Sequence, residues 1–203
     1  MITSDLALTL ALVILAAVLV AFIIGYNGLV RARNRVREGW SSIDVQLRRR
    51  ASLVPNLVEA VRGYAAHERG VFDEVSQARS ALQQARRAGE AASANNVLSQ
   101  ALGHLMAVAE AYPQLRASET FAGLQQQLTD VEDKIAFARQ FYNRTALDYN
   151  NRIESFPGLL IAGPLGFSAA EFFETSADTR ADLAVDLSPG RSRTGPAPQA
   201  PPT

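Results

Sequence analysis

A continuous apolar run near the N-terminus constrains this chain more than any other feature. From Leu6 to Ile24 the only polar side chain is Thr9, and no charged residue follows until Arg31. A helix over this run is about 28 Å long at ~1.5 Å per residue, and a bilayer core is about 30 Å thick. A cleaved signal peptide is the alternative, but it needs a basic N-terminal region and a shorter apolar core. We therefore predict a retained transmembrane helix over residues 6–25.

The charged residues predict how this helix is oriented. The chain has 20 basic and 20 acidic side chains, so its net charge is zero and no nucleic-acid partner is predicted. Residues 31–50, however, contain seven arginines and only two acidic residues. Basic residues directly after a span favour the cytoplasmic side. We expect residues 1–5 to be extracytoplasmic and the long C-terminal part to lie in the cytoplasm.

The rest of the chain has the periodicity of helices. Pro157 and Gly158 end an element that begins near Ser118, and apolar residues recur in it at alternating spacings of three and four, which is a coiled-coil-like heptad pattern. These residues are Phe121, Leu124, Leu128, Val131, Ile135, Ala138, Tyr142, Thr145 and Tyr149. The pattern predicts a helix over residues 119–155.

A second stretch with similar spacing runs from Val36 to Leu82, and Pro55 interrupts it. Ser52 as an N-cap, with Pro55 in the first turn, favours a new helix start. A single kinked helix is the alternative, because the apolar phase continues across the proline. The favoured interpretation is an all-α chain: one N-terminal transmembrane helix followed by an antiparallel up-and-down bundle of about four helices. Their predicted bounds are 27–51, 53–87, 96–111 and 119–155.

The C-terminal region divides into two parts. Residues 156–174 are apolar but interrupted by proline and glycine, so they are too short to span a membrane. The favoured interpretation is a segment that caps the bundle, within a domain of residues 26–175; contact with the membrane interface or a partner groove is the alternative. Residues 176–203 end in a run of proline, glycine and serine without large apolar side chains, and we predict a disordered tail.

Few residues in the chain are suited to chemistry. There is no cysteine, which excludes disulfides and thiolate catalysis. His67 and His104 are the only histidines, and neither has a second histidine four residues away to complete a zinc-binding helix. A di-metal bundle would also need Glu-x-x-His units, which are absent. The sequence therefore predicts no catalytic residue, no cofactor and no metal site, and hence no enzyme.

Three aromatic residues are the candidates for protein contacts. Trp40 is the only tryptophan, and core packing is the favoured role for it, with partner contact as the alternative. Phe172 and Phe173 end the apolar C-terminal segment, and we predict that they help to hold neighbouring copies together. A polar layer for structural hydrogen bonds, rather than a ligand site, is predicted for the end of the last helix. It comprises Tyr142, Asn143, Tyr149, Asn150 and Asn151. The arginines at 48–50 are expected on a solvated face, since Asp44 lies four residues before Arg48, and contact with lipid or a partner is the alternative.

Two long stretches of the chain resemble the LemA family, within the wider LemA/MamQ group. They are residues Tyr26–Arg79 and Tyr112–Gly163, with the specific blocks Ile43–Leu47, Pro55–Val58 and Ile135–Asn143. The resemblance implies a bacterial membrane protein with one N-terminal span and an up-and-down helical bundle. It also implies the break after Ser52, and it brings no catalytic residue to this sequence.

Taken together, these features favour a non-enzymatic scaffold or adaptor at the cytoplasmic face of a bacterial cell membrane. Its expected partners are the lipid bilayer, other membrane or cytoplasmic proteins, and further copies of itself as a homo-oligomer. The alternative is a membrane-associated sensor or regulator that responds to a ligand or to the state of the membrane.

Overall fold

The computed structural model describes residues 2–173, and this part of the chain contains helices and no strand. The helices are α1 (Ile2–Arg62), α2 (Arg69–Gln84), α3 (Ala88–Glu110), α4 (Pro113–Arg116), α5 (Glu119–Glu154) and α6 (Gly158–Ala162). The predicted all-α class is confirmed. The predicted tail over residues 176–203 lies outside the described residues.

The four long helices run up and down, as predicted. α1 and α5 form the most extensive helix pair, and they are antiparallel: Gly28 lies beside Arg152, and Arg50 beside Glu132. α2 and α3 pack against each other and against the second half of α1. The single-turn helix α4 connects α3 to α5. The bundle therefore has α1 as its central element.

The first part of α1 has the character predicted for a membrane span. An 18-residue window of this helix has a mean hydropathy of 3.0, and none of it is buried within the protein. The core starts farther along the same helix, where apolar side chains recur at spacings of three and four. On α1 these buried residues are Ile43, Leu47, Ala51, Val54, Leu57 and Val61. One helix thus supplies both the apolar span and a face of the bundle core.

The predicted break after Ser52 is wrong, because α1 continues through Pro55 to Arg62. Proline lacks the N–H that would bond the carbonyl four residues earlier, here that of Ala51. Arg79 of α2 supplies the missing donor: its Nε atom donates to the Ala51 carbonyl oxygen at 2.9 Å. Ser52 does not cap a helix either, since its hydroxyl donates to the Arg49 carbonyl at 2.7 Å. A tertiary contact therefore makes the proline tolerable inside the helix.

Two further predicted boundaries are wrong. The helix predicted over 53–87 is divided by a turn at residues 63–68, where the buried Ala65 donates its N–H to the Val61 carbonyl at 2.9 Å. The helix predicted to start at 96 starts at Ala88. The carboxylate of Glu90 accepts the backbone N–H groups before it, at 3.1 and 3.3 Å, and so fixes this earlier start. Alanine is also the best helix former, and small buried side chains let α3 approach its neighbours.

The last long helix agrees with its prediction. It was expected over residues 119–155, and α5 covers Glu119–Glu154 after the N-cap Ser118. The heptad residues of this helix are buried, apart from the partly buried Leu128. The apolar segment that follows folds back onto the bundle: α6 packs on α1 and α5, and residues 167–173 run along α5.

Candidate functional site

A charged and polar cluster lies at the centre of the bundle, where three helices meet. Arg50 of α1 is only 1% exposed, and its guanidinium reaches both α3 and α5. Its Nη1 atom donates to the side-chain oxygen of Asn95, and its Nη2 atom donates to the Ser99 hydroxyl at 2.9 Å and to the Glu132 carboxylate. Ser99 in turn donates to the Asn95 carbonyl at 3.1 Å. The cluster therefore ties α1, α3 and α5 together by directional bonds.

The electrostatic balance of this cluster depends on one carboxylate. Burial lowers the pKa of Arg50, and the attraction of Glu132, with their hydrogen bond, opposes that shift. The side chain of Glu132 is 41% exposed, so the pair extends from the core to the surface. The Nε atom of Arg50 is buried without a hydrogen-bond partner in the described part of the chain. Removing one partner of such a pair is costly, because it leaves a buried charge unpaired.

The solvated face expected for the arginines at 48–50 is wrong for one of them. Arg48 forms an exposed ion pair with Asp44 at 2.8 Å, as expected. Arg50, in contrast, occupies a core position, three residues after the buried Leu47 and four before the buried Val54. These spacings of three and four allow Arg50 on the core face of α1, next to the buried Ala51, and that signal was available in the sequence.

A cavity of about 230 Å³ lies next to the cluster, between α3 and α5. Its walls combine polar side chains with a few apolar ones: Ala92, Asn95, Asn96, Ser99, Glu132, Ile135, Ala136, Arg139 and Phe173. Amide, hydroxyl, carboxylate and guanidinium groups can hold a small polar molecule in such a space. No group of three histidine, aspartate or glutamate side chains in residues 2–173 is arranged to hold a metal ion.

The polar end of α5 holds the C-terminal segment against the bundle. Asn150 pairs with the backbone of Ala170 through two hydrogen bonds, at 3.0 and 2.8 Å. Asn143 pairs in the same way with Phe173, at 3.3 and 2.8 Å. Asn143 and Asn150 are seven residues apart, which is about 10.5 Å along the helix, and their partners 170 and 173 are about 10 Å apart in an extended chain. The spacing of the two asparagines therefore matches the spacing of the two backbone groups that they bind. The hydroxyl of Tyr142 donates to a carbonyl between these pairs, at 2.7 Å.

The predicted hydrogen-bonding layer is thus confirmed for Tyr142, Asn143 and Asn150, and its partner is the extended segment 167–173. Burial raises the pKa of the Tyr142 hydroxyl, and the nearby Glu171 carboxylate adds to this shift. Tyr149 is buried as well, and burial raises its pKa. Sequence reasoning located the side chains but could not identify the backbone they bind.

The three predicted contact residues have different environments. Trp40 is partly buried and packs edge-on against Tyr142, with ring centroids 6.0 Å apart, in agreement with the favoured packing role. Phe172 is 36% exposed and stays a candidate for contact between copies. Phe173 is 3% exposed and belongs to the core, because Asn143 holds its backbone against α5. As the chain folds here, Phe173 is therefore not on the surface where a partner could reach it.

Sequence reasoning missed one surface. Phe137 and Phe141 lie one turn apart on α5, and they are 74% and 40% exposed. Phe141 also borders an open cavity of about 400 Å³ between α1 and α5, whose charged lining includes Glu38 and Arg144. Both phenylalanines fall outside the heptad seam, and that signal was available in the sequence.

Comparison with known proteins places the chain in a sequence family. The sequence model described as the LemA family matches residues 39–187. The magnetosome protein MamQ of Magnetospirillum gryphiswaldense is 28% identical over 195 residues, which cover 83% of this chain and 72% of the relative. MamQ 2 of Paramagnetospirillum magneticum is 29% identical, with 78% and 68% covered. The protein LemA of Metamycoplasma hominis is 24% identical, with 77% and 72% covered.

Proposed function

The chain belongs to the LemA family, and on this premise we propose that it is a non-enzymatic, membrane-anchored scaffold that acts through protein contacts at the membrane surface. Its first partner is a second copy of itself, and other membrane or cytoplasmic proteins bind to the resulting assembly.

The observation that carries this proposal is the continuity of α1. Its 61 residues give a length of about 90 Å at ~1.5 Å per residue, from the apolar N-terminal part to the far end of the bundle. α5 stiffens the helix by packing closely on it: a Cβ added at Gly39 would lie 3.1 Å from the Cα of Tyr142. A bundle built on the membrane helix itself is held at a fixed height and direction, as a scaffold requires.

We assign the contact between copies to the exposed face of α5. Phe137 and Phe141 offer adjacent aromatic rings that the protein's own core does not use. The anchor favours contact between copies, because two tethered chains meet at a high effective concentration. This surface replaces Phe173 in the contact predicted from the sequence, while Phe172 retains enough exposure to take part.

Photo-crosslinking in native membranes tests the contact. A photoreactive amino acid at Phe137 should give a discrete product with twice the mass of the chain. The control position is Gln126, which is exposed and lies 11 residues away on nearly the same face of α5, since 11 steps of ~100° return to within about 20°. It should give no such product. A chain that stays monomeric from both positions contradicts the proposal.

We propose that α1 crosses the bilayer with the bundle in the cytoplasm. Arg31, Arg33, Arg35 and Arg37 follow the apolar run directly, and basic residues after a span favour the cytoplasmic side. Protease added to intact spheroplasts should leave the bundle uncut and cut it after lysis. Digestion of the bundle before lysis contradicts this orientation.

A ligand-responsive regulator is a second candidate function, and the polar cavity beside Arg50 favours it. A small molecule bound there would contact groups on both α3 and α5 and could shift the helices. Native mass spectrometry of the detergent-extracted chain should then show an adduct of constant mass. Ala136→Trp, which fills the cavity, should abolish that adduct; the bare mass in both proteins contradicts this function.

A further inference from the structure

The short helix α6 packs beside the point where the apolar run of α1 ends. Ile161 approaches α1 so closely that its Cδ1 atom lies 3.0 Å from the position of a Cβ added at Gly25. Even a methyl group at 25 would require the end of the Ile161 side chain to shift. Ile161, Ala162 and the following Phe167 are buried in a small apolar cluster with α1 and α5. One face of the segment is thus fixed on the bundle.

The other face of the same segment is apolar and bare. Phe156 is 82% exposed, Leu159 62% and Leu160 67%. Leu165 is also exposed, on the turn that follows α6. A soluble surface seldom presents so many large apolar side chains together, and a patch of this kind usually marks a binding surface.

The exposed face of residues 156–165 lies beside the end of the apolar run of α1, and this position indicates what covers it. An open cavity of about 650 Å³ is lined on one side by Ala21 and Ile24, from the end of the apolar run, and on the other side by Phe156 and Gly158. The exposed face therefore continues the surface of the span. Arg31, the first charged residue after the run, comes about 10 Å farther along the helix at ~1.5 Å per residue.

Two arginines, Arg31 and Arg152, line the bundle end of the same cavity, where lipid headgroups would lie. The guanidinium of Arg33 lies over the ring of Phe167, 4.8 Å from its centroid, on the bundle side of α6. Arginine side chains keep their charged ends at the lipid headgroups while apolar groups lie deeper. Apolar segments that lie on a membrane bury their apolar face roughly 5–10 Å into the boundary between headgroups and acyl chains.

We propose that residues 156–165 form a second, shallow membrane contact, in which Phe156, Leu159 and Leu160 insert into the bilayer surface from which α1 emerges. The bundle is then attached to the membrane at two points, one deep and one at the interface, and cannot rotate freely about α1. This inference rests on α1 crossing the bilayer, and it does not depend on contact between copies.

Spin-label accessibility tests this contact in the full chain, reconstituted in nanodiscs of phosphatidylethanolamine and phosphatidylglycerol. The chain has no cysteine, so Leu159→Cys, Val97→Cys and Leu15→Cys each give a single labelling site. All three side chains are exposed, and their replacement removes no core packing. Power saturation compares collisions with oxygen, which concentrates in lipid, and with a water-soluble nickel chelate.

The label at Leu159 should collide severalfold more with oxygen, relative to nickel, than the label at Val97, which is on the exposed surface of α3, and less than the label at Leu15. Equal ratios at Leu159 and Val97 would overturn the proposal, because the segment would then be in water. Shielding of Leu159 from both reagents would also overturn it, since a protein would then cover the face. A label at Leu15 that reports water would instead show that the span itself is absent.

Discussion

Substitutions of Pro55 and Arg79 should have coupled effects on the free energy of unfolding, because Pro55 removes a hydrogen-bond donor that Arg79 replaces. The proline leaves the Ala51 carbonyl without its helical donor, and the guanidinium of Arg79 donates to that oxygen at 2.9 Å. Arg79→Met removes the donor and keeps most of the aliphatic stem. When Pro55 is present, this change leaves the carbonyl of Ala51, a residue that is 1% exposed, without a hydrogen-bond donor.

The expected magnitude follows from this bond. A buried acceptor left without a partner costs about 1–3 kcal/mol, and we expect Arg79→Met to lower the free energy of unfolding by about 2 kcal/mol. Pro55→Ala restores a backbone N–H four residues after Ala51, so the same change in that background should cost under about 1 kcal/mol. The difference is a coupling of about 1–2 kcal/mol, within the range for residues in one network.

Urea unfolding of the full chain in detergent measures all four proteins of this cycle, with circular dichroism and the fluorescence of Trp40 as probes. Arg69→Met is the matched control, since Arg69 is an exposed arginine on the same helix, and it should change stability by no more than about 0.5 kcal/mol. Equal losses from Arg79→Met in both backgrounds would refute this account of the proline.

Three further predictions concern the cluster and the C-terminal segment. Glu132→Met leaves the buried charge of Arg50 unpaired and should lower the free energy of unfolding by about 3 kcal/mol in the same titration. The double variant with Arg50→Met should recover part of that stability; losses that simply add contradict the pairing. The folded state raises the pKa of Tyr142, so the neutral hydroxyl contributes fully to the free energy of unfolding below about pH 10, and this contribution is lost as the pH rises further. Tyr142→Phe should therefore make stability fall less steeply with pH in the alkaline range; an unchanged slope contradicts this. Asn150→Ala should accelerate hydrogen exchange in residues 167–173, while the exposed Asn151→Ala should not; protection that survives in both contradicts the pairing.

The sequence was sufficient to predict a helix wherever the residues of that helix alone determined its structure. The seam of α5 repeats without interruption, so its bounds were predicted to within one residue. The apolar run before Gly25 was equally clear, since nineteen residues with one hydroxyl have few alternatives. The up-and-down arrangement followed from several long amphipathic helices joined by short connections.

Errors arose where a distant residue decided the local structure. Pro55 is in a helix because a guanidinium 24 positions later satisfies the orphan carbonyl, and no local rule contains that contact. Arg50 was assigned to the surface with its neighbours because Asp44 lies four residues before Arg48, although spacings of three and four from Leu47 and Val54 also allowed Arg50 on the core face. The burial of Phe173 was not foreseen, because nothing in its sequence neighbourhood revealed that Asn143 would bind its backbone.

The central claim is that one unbroken helix carries the bundle on its membrane anchor. Spin labels at Leu15→Cys in the apolar run and Val45→Cys in the bundle, both exposed positions, test it by double electron–electron resonance in nanodiscs. Thirty residues of continuous helix predict a narrow distance distribution centred near 45 Å, at ~1.5 Å per residue. A broad distribution, or one centred at a clearly shorter distance, would show a hinge between the membrane helix and the bundle and would contradict the account.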